Sequence, residues 1–221
     1  MQRHFDDQLK DLHQEILKMG VMTQEAIFRS IEALKSRDRA QAEDVIAHDK
    51  KIDSMENAID EQCIDLIARN QPMAGDLRFI ATALKINADL ERIADLAVDI
   101  CQRVVELVDK PLLKPLIDIP KLSAIAQKMV KDSIDAFVSR DSVLAKNVML
   151  SDPEADQLRD KVQSELINDY MAKDTSTVDR AVALLLVARY LERICDHATN
   201  IAEDVVYMVE GKIVKHHTEE L

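Results

Sequence analysis

Apolar residues recur at intervals of three and four along nearly the whole chain, as in Leu9, Leu12, Ile16 and Met19 and again in Ile125 and Met129. That is the period that lets one face of an α-helix pack against neighbours. Six such stretches are separated by breaks at 36–38, 69–76, 109–121, 139–141 and 173–179, where Pro, Gly, Ser, Thr and Asp cluster. Several stretches exceed 25 residues. Long helices joined by short connections have one economical arrangement, the antiparallel bundle, so the pattern predicts an all-α fold.

The third break carries three of the five prolines and marks a joint between two three-helix halves. Comparing the halves supports a duplication. "SIEALKSRD" (30–38) aligns with "SIDAFVSRD" (133–141) at an offset of 103, with six identities in nine positions. "LERIADLAVDI" (90–100) aligns with "LERICDHATNI" (191–201) at an offset of 101, with seven in eleven. The expected organisation is a first three-helix bundle at 1–110, a linker at 111–119 and a second, pseudo-symmetric antiparallel three-helix bundle at 120–221.

The repeated segment carries the candidate chemistry. Glu91, Asp95 and Asp99 follow one another at four-residue spacing, and Glu192, Asp196 and Asn200 hold the same places in the second copy. In a helix such a row lies along one side, with Leu90, Ile93, Ala97, Cys101 and Val104 on the other. The second helix of each half adds its own pair, Asp49 with Asp53 and Asp152 with Asp156. A charged row is ordinarily a solvated helix face. Against that reading, acids at i and i+4 repel, no Lys interrupts either row, and both copies keep the pattern. Carboxylates gathered from two adjacent helices stay ionised only with a cation between them, and hard cations such as iron, manganese, magnesium or calcium accept oxygen-only shells. Zinc favours His or Cys; His197, beside Asp196, offers one nitrogen. A ferritin-like di-iron site needs Glu-x-x-His on two helices, and none of the six His has Glu three positions before it.

Forty-one acidic against 29 basic residues give a formal charge of −12, which repels nucleic acid. No stretch approaches 18 uncharged apolar residues, and the amino terminus lacks the apolar core of a signal peptide, so neither membrane insertion nor export is expected. Cys63, Cys101 and Cys195 form no CxxC pair and read as buried thiols in a reducing cytoplasm. Arg92 and Arg193 follow the first acid of each row and read as intrahelix ion pairs; the "SRD" endings at 36–38 and 139–141 read as helix caps. The "KHHTEEL" tail adds no chemistry and is expected to fray.

The strings "GDLRFIATALKINADLERIADLAVDIC", "MENAIDEQCIDLIARNQP" (55–72) and "ARYLERICDHATNIAE" (188–203), with an ExxxD motif on the third helix of each repeat, resemble the PhoU family of phosphate-signalling proteins over nearly the whole chain. The resemblance implies a non-enzymatic cytoplasmic negative regulator of phosphate uptake and of the phosphate-starvation response. It implies docking to the ATPase subunit of a phosphate ABC transporter and to a membrane sensor histidine kinase, and a homodimer. It further implies divalent or ferric ions, iron, manganese, zinc or magnesium among them, held in clusters at the two motifs. Carried over, the first site uses Glu91, Asp95 and Asp99 with Asp49 and Asp53; the second uses Glu192, Asp196 and Asn200 with Asp156 and Asp152. Two departures weaken the second site. Asn200 replaces an acid, and Pro153 pushes Asp152 away from helical conformation, so that Asp152 reads equally as a helix N-cap with Pro153 at the first helical position. Two rivals remain: a metal-dependent hydrolase, for which no Gly-rich loop or Lys/Arg cluster beside the acid rows offers a substrate site, and a metal-free helical adaptor.

Overall fold

A computed structural model describes residues 2–212; the "KHHTEEL" tail lies outside them. The chain forms helices α1 (Gln2–Ser36), α2 (Arg39–Asn70), α3 (Ala74–Leu107), α4 (Asp118–Ser139), α5 (Ser142–Glu165) and α6 (Val178–Glu210). A π-helical turn (Leu166–Met171) and a short 3-10 turn (Thr175–Thr177) lead from α5 to α6. Among the described residues there is no strand, as the helical periodicity predicts.

Each corner has a local cause. Asp38 caps α2 by accepting from the Gln41 backbone N–H, and Asp141 caps α5 by accepting from those of Val143 and Leu144. These are the aspartates of the two "SRD" segments, so their reading as caps holds. The preceding arginines sit in left-handed conformation, φ 58° at Arg37 and 53° at Arg140. Arg37 then reaches across to donate to the carbonyls of Leu107, Val108 and Lys110, covering the open C-terminal end of α3. Gly211, at φ 71°, ends α6.

Helices α1, α2 and α3 pack on one another, as do α4, α5 and α6, and the two sets join through α3 on α6 and α1 on α4. One continuous apolar core runs through all six, from Leu12 and Ile16 in α1 to Ile201 and Val205 in α6. The α3–α6 seam is antiparallel: Lys85 meets Asp204 at 2.8 Å while Asp89, further along α3, meets His197, further back on α6, also at 2.8 Å. At the α1–α4 seam, His13, Phe79 and Phe137 form an aromatic cluster, the two phenyl rings stacked with centroids 5.4 Å apart and Arg140 above Phe79. The three cysteines are free and buried; burial pushes the Cys63 and Cys101 thiols up to about 12, which leaves them inert. Among the described residues no helix is long and apolar enough to cross a membrane.

Candidate metal centre

On α3, Leu90, Ile93, Ala97, Cys101 and Val104 face the core and fix the helix so that its acids emerge toward α2. Ile52, Ile59 and Cys63 do the same for α2. The two acid sets therefore meet along the α2–α3 groove. Asp49 is half-buried and its carboxyl is pushed up to about 6, by burial first and then by Asp53 and Asp95. Glu91 is raised by burial and by Asp95, with Arg92 acting the other way and Glu56 and Asp53 adding to it. Glu56 belongs to the same cluster: it is raised by burial and by Asp60, with Asp53 and Asp95 contributing. Sequence spacing pointed to Asp49 and Asp53 and passed over Glu56, which lies three residues beyond Asp53 and thus one helical turn along the same face of α2. Arg92 lies against Glu91 at 3.4 Å and Asp95 at 3.1 Å, the intrahelix pair expected of it.

The third member of each row stands apart. Two steps of four residues turn a side chain by about 80° around the helix, and that carries Asp99 and Asn200 toward the α3–α6 seam. Asp99 is raised by burial and by Asp95 and opposed by Arg103 and by Arg193 of α6. Asn200 donates weakly, at 3.5 Å, to Asp89 of α3, whose carboxylate also holds His197 Nδ1 at 2.8 Å.

In the second half Asp152 is not an N-cap. Helix α5 begins ten residues earlier at Ser142, capped by Asp141, and Pro153 lies inside it. The buried residues Val148, Met149 and Ala155 on either side hold that segment helical against the local preference of a pre-proline residue. Asp152 consequently projects toward α6, and its carboxyl is pushed up to about 6 by burial, Asp196 and Asp156. Glu192 is raised by burial and by Asp196 but opposed by Arg189 and Arg159. Asp196 is raised by burial, with Arg189 opposing and Asp156 adding.

The first cluster suits a hard cation in donor type and in surplus negative charge: five carboxylates, Asp49, Asp53, Glu56, Glu91 and Asp95, stand against Arg92. In the rotamers present, no three His, Cys, Asp or Glu side chains among the described residues are already closed around one point. Bound metal there would supply the positive charge that lets these acids stay ionised side by side.

Beside this cluster lies a cavity of about 300 Å³ between α1 and α2, with Met22, Ala26, Val45, Ile52 and Val98 in its walls and Asp49 at its edge. Arg29, His48 and Lys51 also line it, a basic group next to an acid row that the sequence did not disclose because the three residues come from two helices. All three act on Asp44, Lys51 by charge alone. Arg29 pairs with Asp44 at 2.5 Å, and His48 Nδ1 lies 2.7 Å from the Asp44 carbonyl oxygen.

The PhoU domain model matches residues 6–104 and 119–205. A phosphate-specific transport system accessory protein PhoU homolog of Aquifex aeolicus is 42% identical over 209 residues, covering 95% of this chain and 94% of its own. The phosphate-specific transport system accessory protein PhoU of Escherichia coli is 33% identical, covering 96% and 88%. The crystal structure of PhoU from Pseudomonas aeruginosa superposes with a TM-score of 0.91 at 35% identity, over 94% of this chain and all of that one. The phosphate transport system regulatory protein PhoU from Streptococcus pneumoniae gives 0.89 at 28% identity, over 96% and 99%.

Proposed function

The chain belongs to the PhoU domain family, and from that premise we propose that it is a regulatory accessory protein of phosphate uptake that acts by docking rather than by catalysis. The observation that carries this reading is the near full-length match to proteins named as phosphate-specific transport accessories, 42% identical across 95% of the chain. In the proposed role the protein acts in the cytoplasm, as a homodimer, on the ATPase subunit of a phosphate transporter and on a sensor kinase. It restrains uptake and the starvation response while phosphate is plentiful. The mechanism is stoichiometric: the complex favours one conformation of each partner by its differential affinity, and no reacting group is required.

The metal part of the proposal is confined to the α2–α3 groove. Asp49, Asp53, Glu91 and Asp95, with Glu56, hold a divalent or ferric ion whose charge offsets their mutual repulsion, and Asp99 contributes from the seam side. What supports it is that burial and the neighbouring acids hold the carboxyls of Asp49, Glu56 and Glu91 above their ordinary range.

Deleting the gene should derepress phosphate-starvation genes in phosphate-rich medium, and unchanged expression there would remove the signalling role. A Glu91→Ala/Asp95→Ala variant carried on the chromosome separates the two parts: if it regulates normally while losing metal, the metal serves stability and not signalling.

A further inference from the structure

Resting on that reading of the first groove, we propose that the matching acid cluster of the second half is closed by two arginines of the chain itself and takes no metal, so that the duplicated protein holds metal on one side only.

The two copies differ at the positions that decide charge. Through the 103-residue offset of α2 and α5, Glu56 corresponds to Arg159. Through the 101-residue offset of α3 and α6, Ala88 corresponds to Arg189. An acid and a neutral methyl group in the first half have thus become two guanidinium groups in the second. Both converge on the same carboxylate: Arg189 lies 2.5 Å and Arg159 3.7 Å from Glu192 Oε1. Arg159 also reaches Asp156 at 3.0 Å and Asp160 at 3.2 Å, so it spans from α5 to α6 as a bridging metal would.

Glu192 is only 5% exposed. A carboxylate so placed needs positive charge within contact distance, and here the protein supplies it permanently. A metal ion entering this cluster would have to displace a guanidinium from Glu192 and another contact from Asp156, then sit beside both displaced cations. Among the described residues Asp156 and Glu192 are ion-paired with Arg159 and Arg189, whereas Asp49, Asp53, Glu56, Glu91 and Asp95 of the first groove have ion pairs only with the well-exposed Arg92. Glu192 Oε2 is buried with no hydrogen-bond partner among the described residues. One such oxygen is a single ligand, short of the six or more that a hard cation takes.

The test is manganese retention after equilibrium dialysis, read by elemental analysis, in the full chain and two conservative double variants. Glu91→Gln/Asp95→Asn should abolish retained manganese, whereas Glu192→Gln/Asp196→Asn should keep the unaltered chain's content. A fall of about half in the latter overturns the proposal. If the unaltered chain retains none, the metal part of the proposed function fails, and the arginine closure is decided separately by unfolding in chelator. Arg159→Gln/Arg189→Gln should then raise the unfolding equilibrium constant on the order of tenfold, and much less in a Glu192→Gln background. Loss of both arginines without effect on unfolding would also overturn it.

Discussion

Asp49 is the residue where burial, crowding and pH act together most plainly. Its carboxyl sits at about 6 in the folded chain against 3.8 ordinarily, through burial and then Asp53 and Asp95. Between those two pH values the folded state binds more protons than the unfolded one, so this group's contribution to stability is fully present below about pH 4 and is lost as pH rises to about 6. A shift of about two units corresponds to roughly 3 kcal/mol, but solvent screening of a half-buried side chain reduces this to about 1 kcal/mol. Asp49→Asn should therefore raise the urea midpoint of the chelated protein at pH 7.5 and change it little at pH 4. With manganese present at pH 7.5 the sign should reverse if Asp49 is the ligand proposed above, because the variant then loses it. A variant less stable at pH 7.5 in chelator would show that Asp49 is not under electrostatic strain. The repulsion behind this prediction was legible in the sequence as acids spaced by four without an intervening Lys. The burial that magnifies it was not, because the wall formed by α1 comes from a distant part of the chain.

At the scale of the helix, punctuation by Asp is read reliably and punctuation by Pro is not. Asp38 and Asp141 cap α2 and α5 as their place in the repeated "SRD" segments suggests, since a capping bond needs only residues two and three positions ahead. Asp141→Ala should cost about 1 kcal/mol, measured by chemical denaturation, because two backbone N–H groups lose their acceptor. Pro153 misled for the opposite reason: its effect depends on what the rest of α5 gains by staying helical. Met149 and Ala155 are buried on either side of it, and a break there would expose both. The helix tolerates the missing donor instead. Pro153→Ala restores an N–H and is expected to stabilise by about 1 kcal/mol or more; destabilisation would mean that the proline ring is itself needed for packing. Four-residue spacing implies one side of a helix, yet the 40° advance of each step moves Asp99 and Asn200 to the seam with the other half. Their partners, Arg193 and Asp89, lie on the opposing helix, beyond the reach of spacing arguments.

For the molecule as a whole, the duplication predicts two bundles, and the packing shows how they share one core. The α1–α4 seam depends on a close approach at Gly20, where an added Cβ would fall 2.6 Å from Ile134 Cδ1 and 3.2 Å from its Cγ1. Nothing in the sequence marks this glycine, which sits inside a long helical pattern where Gly ordinarily weakens a helix by up to about 1 kcal/mol relative to Ala. Two effects of Gly20→Ala therefore oppose each other: better helix propensity, and overpacking against a fully buried isoleucine, which typically costs about 1–3 kcal/mol. Because Ile134 is enclosed by both halves, the clash should win and the variant should lose about 1 kcal/mol in urea unfolding. Ile134→Val removes the clashing methyl. Alone it should cost about 1 kcal/mol through the cavity it leaves, but in the Gly20→Ala chain it should cost nothing or restore stability. Simple additivity of the two changes would mean that α1 and α4 do not press together here. A coupling of the predicted sign would show that the halves are locked by steric fit at a position the acid rows never touch.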